Sequence, residues 1–385
     1  MPPYWIFAAP AILLALLSLF GERRRASFVS RSLERQPERF PRVSVIVPVK
    51  GEDEGLKENL AALAALDYPQ YDLFIAARNA DDIPRGVLPN RATIVLAHYE
   101  DGEASDKVQN LTAAIKAAHN TTQIFAFADS DGRVTPRWLR ALVAPLEDPA
   151  VGASTGYRWF APEPPTFWSL LRGVWDAVAL SRFGEGDAPF TWGGSMAIRK
   201  QTIFEIGLFR AWRDAISDDY ALAGAVHGAG LKIAWAPGAL TPSRDRLPMV
   251  GFFAWARRQL MLTRFYQPRM WGLAVVAHVI YCAGMAASIA ASIGGNRLAE
   301  WALILQLSPG MLKGLNRATL AKAVLPEYEA WFKRHSWVHA IWTPLATWVW
   351  LIVLAASAAG DTITWRGRTY RLKKNEPPMN TDEHR

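Results

Sequence analysis

The apolar positions of this chain fall into blocks at its two ends, with a mixed stretch between them. Tyr4 to Phe20, YWIFAAPAILLALLSLF, carries no charge. It is just long enough to cross a bilayer as a helix. No basic residue precedes it and ERRR follows at once. A secretory signal has the reverse charge order, so residues 1–22 read as a retained anchor. The positive-inside rule then places the N-terminus outside and Arg23 onward in the cytoplasm. Near the other end, Gly272 to Ile293 is uncharged and long enough to span. Trp301 to Leu312 is shorter and contains Pro309, and Ser336 to Gly360 is uncharged and rich in Trp. These predict a transmembrane and interfacial helical bundle over 272–360. Such blocks are hard to cover with protein alone.

Between the blocks the pattern changes period. VSVIVPV (Val43–Val49), YDLFIAA (Tyr71–Ala77), ATIVLAH (Ala92–His98) and QIFAFA (Gln123–Ala128) are short apolar runs of strand type. Leu56, Leu60 and Leu63 recur at helical spacing after the first run, and a second helix is expected over Ala104–Ala118. Alternating strands and helices predict an α/β domain over 41–245 with a Rossmann-like, mostly parallel sheet. Ligands of such sheets bind beyond the carboxyl ends of the strands. A helix over 246–271 carries WARRQ (Trp255–Gln259) and reads as amphipathic and juxtamembrane. Residues 361–385 form a basic tail.

The strand ends carry the candidate chemistry. Asp129 and Asp131 follow the apolar run Ile124–Ala128. Two carboxylates there suit Mg2+ or Mn2+, which completes its shell with water and phosphate oxygens; Asp, Ser and Gly are also ordinary turn residues. Asp81 and Asp82 follow the second strand. Lys107 and Asn110 stand at a helix start, where a phosphate or a base would meet them. Asp218 and Asp219 head the run SDDYALA, where an Asp also caps a helix. In FTWGGSMAIRK, Trp192 precedes Gly193-Gly194, a pair expected where backbone approaches a ligand closely.

The chain has 385 residues, a net charge of +8 and one cysteine, Cys282. No intrachain disulfide is possible, and a reducing compartment is consistent with that. The lone cysteine lies in a predicted membrane helix, which excludes a cysteine nucleophile. The excess of cations suits an anionic partner: nucleic acid, anionic lipid or phosphorylated substrates. The chain's motifs favour the last two, and no nucleic acid is expected as a partner.

In order, VSVIVPVKGEDEGLKENL, DDIP, DSDGRVTP, FTWGGSMAIRK and SDDYALA resemble a family 2 glycosyltransferase of the GT-A fold. The likeness is to the ceramide glucosyltransferase branch with its bacterial lipid-modifying relatives, and ITWRGRTYRL (Ile363–Leu372) is similar to the tail of that branch. The resemblance implies that Asp82, with Asp81 as second choice, contacts the uridine side of a nucleotide-sugar donor. Asp129 and Asp131 would bind the metal and the diphosphate. Asp219 would be the catalytic base, with Asp218 in place of the usual Glu of that catalytic pair. Since neighbouring side chains on a helix point about 100° apart, only one faces the sugar, and Asp218 is expected to cap the helix or stabilise its N-terminal end. The Gln-x-x-Arg-Trp motif of the family is altered: Arg258 keeps the arginine, while Trp255 and Gln259 replace the flanking residues.

The same resemblance implies an inverting transfer of a hexose, such as glucose, to the hydroxyl of a membrane lipid, at the bacterial inner membrane or its equivalent. Thr166 to Phe183 places Phe167, Leu171, Val174 and Val178 on one face, which suits either the membrane interface, where a lipid hydroxyl would enter, or the core. Ala323 to Trp337 looks like a second interfacial segment. Three spans after the anchor would leave the basic tail outside, against the positive-inside rule; a re-entrant segment would return it. A polymer-exporting synthase would carry an intact Gln-x-x-Arg-Trp helix and more spans. A scaffold without activity would not need Asp129, Asp131 and Asp219.

Overall fold

The computed structural model describes residues 4–98 and 104–373; the distal part of the basic tail lies outside them. Seven strands form the central sheet: β1 (Val43–Pro48), β2 (Tyr71–Ala77), β3 (Ala92–Leu96), β4 (Ile124–Ala128), β5 (Val151–Phe160), β6 (Ser195–Arg199) and β7 (Lys232–Ser243). Their order is β3-β2-β1-β4-β6-β5-β7. Only β6 runs against its neighbours β4 and β5; the other pairs are parallel. The central strands are apolar throughout because both faces are covered. Val45 and Val47 point to one face, with Leu56, Leu60 and Leu63 of the helix Leu56–Ala64. Ile46 points to the other, with Phe125, Phe127 and Trp159. The expected α/β architecture with a mostly parallel sheet is the one observed.

The helical part differs from expectation in three places. The N-terminal helix Trp5–Leu17 continues, after a turn, into Glu22–Glu34. This pair and Pro268–Ile293 are long and apolar enough to cross a membrane. Trp301 to Leu312 proves to be part of a 28-residue helix, Arg297–Val324. At 1.5 Å per residue it is about 42 Å long. Its charged second half hid it from a hydropathy reading: Arg317, Ala318 and Ala321 are buried against the α/β domain. The uncharged run 336–360 is not one helix. Glu329–Ile341 and Thr343–Ser357 meet at a 64° bend, with Pro344 in the first turn of the second helix. Proline lacks the N–H that would continue the first helix and clashes with a carbonyl of the preceding turn.

Both ends of that bent pair return to the α/β domain. Trp331 donates to the carbonyl of Pro162 at one end. At the other, Arg257 and Arg264 hold the carbonyls of residues 356–360. The chain then forms a hairpin, β8 (Thr362–Trp365) and β9 (Arg368–Arg371), which packs on the α/β domain. By length and composition such a bent pair has the form of either a broken span or a re-entrant segment.

The helix Phe167–Leu180 is a core element. Leu171, Val174 and Trp175 are buried against Phe252 and Val353, while Phe167 is 47% exposed. Glu329–Ile341 likewise seats Phe332 and His339 on Trp159 of β5.

Candidate active site

A cavity of about 510 Å³ opens at the carboxyl ends of β1 and β4. The sheet forms one wall; the helix Met249–Tyr266 and the β8-β9 hairpin form the other. Asp129 and Asp131 follow β4 directly because that strand stops at Ala128. Arg158, on β5, donates to both oxygens of Asp131 at 2.8 and 3.0 Å and to Oδ2 of Asp129 at 3.0 Å. Lys107, in the first turn of the helix Asp106–Ala117, donates to Oδ1 of Asp129 at 2.8 Å and lies 3.2 Å from Oδ2 of Asp218.

These contacts set the charge states. Burial opposes ionisation of Asp129, but Lys107 and Arg158 hold it below the usual carboxylate range. Asp131 is pushed up: its burial, with the nearby charges of Asp129, Asp245 and Asp53, outweighs Arg158. Burial would depress Lys107, yet Asp129, Asp218 and Asp219 keep it above its ordinary value. Asp218 is pushed up to about 7, by burial first and by Asp219 and Asp129 against the pull of Lys107.

The adjacent acids take different places. Asp219 accepts from the Tyr220 N–H at 2.8 Å, from the Gly193 N–H at 3.1 Å, and from the Ser217 hydroxyl. Asp218 does not cap its helix, as the sequence suggested. It is 2% exposed and faces Lys107. The two glycines serve this packing rather than line the cavity. A Cβ on Gly193 would strike Asp218 and Lys107; one on Gly194 would strike the Trp192 ring and Asp129. Trp192 itself lines the cavity, with the Arg158 guanidinium 4.9 Å from its ring centre.

The opposite wall has a different balance. Arg258 lines the cavity and makes no ion pair among the described residues; the Trp365 ring of the hairpin lies 5.7 Å from its guanidinium. Burial, with the charges of Arg158 and Arg366, pushes it down to about 10. Trp255 stands edge-on to Phe160 and Trp175 along the cavity wall. The hairpin is clamped over the mouth: Arg366 donates to Asp53 at 2.6 Å, Arg368 to Asp106 at 2.5 Å, and the Tyr370 hydroxyl accepts from the Asp106 N–H at 3.3 Å. Lys50 holds the other oxygen of Asp106 at 2.8 Å.

Of the residues singled out in the sequence, Lys107, Asn110, Asp129, Asp131, Trp192, Asp218, Asp219, Trp255 and Arg258 share this cavity. Asp81 and Asp82 do not. They lie in a short turn after β2, where Asp82 accepts from the Asn79 N–H and its carbonyl from Gly51. Lys107 is engaged by carboxylates rather than free at a helix start. Arg158, Trp365 and Arg366 were missed. The lone charged residue in β5, VGASTGYRWF, was the available signal for the first.

The acid cluster suits a divalent cation. Among the described residues no three His, Cys, Asp or Glu side chains form a self-sufficient metal site. A two-carboxylate pair beside a cavity is the arrangement in which Mg2+ or Mn2+ draws its remaining ligands from phosphate and water.

A sequence model of glycosyl transferase family 21 matches residues 4–377. The chain belongs to that family. Among solved structures, it is similar to the mannosyltransferase PcManGT from Pyrobaculum calidifontis, in complex with GDP-Man and Mn2+. The identity is 20% and the TM-score 0.50, over 91% of this chain and 98% of that one. A weaker likeness, TM-score 0.40 at 12% identity over 56% of this chain and 48% of the other, is to GalNAc-T7 with UDP, GalNAc and Mn2+. The family 21 chain thus has a GT-A fold, and it is a glycosyltransferase.

Proposed function

We propose that this family 21 member is a membrane-bound, inverting hexosyltransferase that moves a sugar from a UDP-activated donor to a lipid hydroxyl. The observation that carries this reading is Arg258, a half-buried cation with no ion pair among the described residues, which faces the same cavity as Asp129 and Asp131. Burying an unpaired charge is costly, and a donor diphosphate would relieve that cost. Arg258, with Arg366 beside it, seats the diphosphate. Asp129 and Asp131 hold Mg2+ or Mn2+, which supplies positive charge to the leaving phosphates. Lys107 and Arg158 occupy the oxygens of both carboxylates, so the cation would enter by displacing part of the Arg158 contact.

Asp219 takes the proton of the acceptor hydroxyl. As its oxygen bonds the anomeric carbon, the bond from that carbon to the diphosphate breaks, and the diphosphate leaves with the electron pair. One displacement from the opposite face inverts the anomeric carbon. The donors on Asp219 from Ser217, Gly193 and Tyr220 fix its direction. A lipid acceptor is supported by the side of the cavity that meets the helical bundle, where Trp175, Leu247 and Trp350 line it. With the anchor read as outside-to-inside, the catalytic domain and hairpin are cytoplasmic.

The test is turnover by the purified full chain in lipid nanodiscs, with UDP-glucose and GDP-mannose offered separately, with and without Mn2+. We expect a monoglycosylated lipid, inverted at the anomeric carbon. Polymeric product would favour a processive synthase. No consumption of either nucleotide sugar in any lipid would overturn the reading.

A further inference from the structure

A second cavity, about 140 Å³, lies within the helical bundle. It shares Trp350 as a wall with the large cavity but has its own chemistry. Lys313 and Arg317, one turn apart on the helix Arg297–Val324, both line it. Arg317 is 3% exposed; its one hydrogen bond donates from Nη1 to the Ser181 hydroxyl at 2.9 Å, and its Nε has no partner. Gln306, 4% exposed on the same wall, leaves its Oε1 unpartnered. Lys313 makes no hydrogen bond or ion pair among the described residues.

The nearby carboxylate does not balance these cations. Glu22 pairs with Arg25 and accepts from Asn316 at 3.4 Å. Arg25 is itself turned to the carbonyls of Ser181 and Phe183. The cluster of Glu22, Arg25, Lys313 and Arg317 therefore carries net positive charge at the junction of bundle and catalytic domain. Isolated buried charges are paired in stable proteins, and a basic pocket between membrane helices is a known form of site for anionic lipid headgroups. The remaining wall is mixed: Ala15, Met285, Leu307 and Pro344 are apolar, while Ser18, Tyr281 and Thr347 add hydroxyls that can meet a phosphate. At about 30 Å³ per water, the space admits a phosphate group with a few waters.

We propose that this cavity binds the phosphate of an anionic membrane lipid, with Lys313 and Arg317 on the phosphate and the acyl chains along the apolar part of the wall. The site is distinct from the transfer site, and the proposal does not depend on the chemistry assigned there. Its occupant ties the helices Trp5–Leu17, Pro268–Ile293, Arg297–Val324 and Thr343–Ser357, all of which line the cavity.

The test is native mass spectrometry of the full chain in detergent, titrated with dioleoylphosphatidylglycerol, with dioleoylglycerol as the phosphate-free control. We expect one saturable phosphatidylglycerol site. Lys313→Gln should weaken it about fivefold, and Lys313→Gln with Arg317→Gln about 25-fold, at roughly one kcal-scale charge contact each. Should the double variant fail to fold, Lys313→Gln and Lys313→Glu carry the test, since Lys313 is only half-buried. Lys322→Gln, farther along the same helix and paired with Glu329, is the control and should bind as wild type. Equal loss in Lys322→Gln, no loss in the Lys313 variants, or equal retention of dioleoylglycerol would overturn the proposal. Displacement of the lipid by an equal concentration of inorganic phosphate would assign the site to the free anion and overturn the lipid.

Discussion

The two walls of the large cavity are charged in opposite styles. On the sheet wall, Asp129, Asp131 and Asp218 face Lys107 and Arg158 at 2.8 to 3.2 Å. On the helical wall, Arg258 makes no ion pair among the described residues and lies 5.7 Å from the Trp365 ring. The first wall is ion-paired within the protein, and its acids would share those partners with a cation. The second is completed by what binds. Paired groups hold geometry, whereas an unpaired cation holds affinity in reserve for an anion.

The sharpest way to break that contrast is to remove the one acid assigned to chemistry rather than to charge balance. Asp219→Asn should lower transfer by about 10²- to 10⁴-fold and leave nucleotide binding near wild type. Rates of Asp219→Asn and Asp218→Asn, with donor affinity measured alongside, check this. If Asp218→Asn loses as much and Asp219→Asn little, the roles are reversed.

Arg158 and Arg258 test the comparison directly. Arg158→Ala strands Asp129 and Asp131 and should cost about 3–5 kcal/mol of stability, the usual penalty for halving a buried pair. Arg258→Ala should cost the fold nothing or stabilise it, because it removes a desolvated charge. It should instead lower kcat by about 10²- to 10³-fold, the scale of losing one stabilising donor. Thermal unfolding and kinetics on the two proteins separate these outcomes. Equal destabilisation would mean that Arg258 is structural.

Asp131→Asn should remove the Mn2+ dependence of nucleotide binding, read by titration with and without the ion. Unchanged dependence would place the cation elsewhere.

The smallest effect concerns Asp176, which accepts from the Tyr157 hydroxyl at 3.3 Å. Burial pushes its carboxyl up to about 7, against the pull of Arg158 and of the hydrogen bond from Tyr157. A group raised above its unfolded value of 3.8 binds more protons when folded. Its contribution is present below that value and is lost as pH rises toward about 7. Asp176→Asn should flatten the fall in stability over that window, seen in denaturation midpoints from pH 4 to 8.

Much of the sheet was legible because a strand covered on both faces must be apolar at nearly every position, as in VSVIVP and IFAFA. The acids were legible because those strands end where they begin. What could not be read was partnership across distance. Arg158 meets Asp131 from 27 residues away and Arg366 meets Asp53 from 313, and neither spacing leaves a local mark. Hydropathy also failed where one helix serves two environments. Arg297–Val324 is apolar in its first half and polar where it leaves the bundle for the soluble domain. Asp218 was misplaced for a related reason: position at a helix start favours capping, but the tertiary contact with Lys107 prevailed.

The hairpin over the cavity mouth follows the final helix of the bundle in the chain. During synthesis, the pocket therefore stays roofless until translation has passed Arg371. A chain arrested before that point presents the acids without Trp365, Arg366 and Tyr370. Chain order thus makes the roof of the pocket the last of its parts to be assembled.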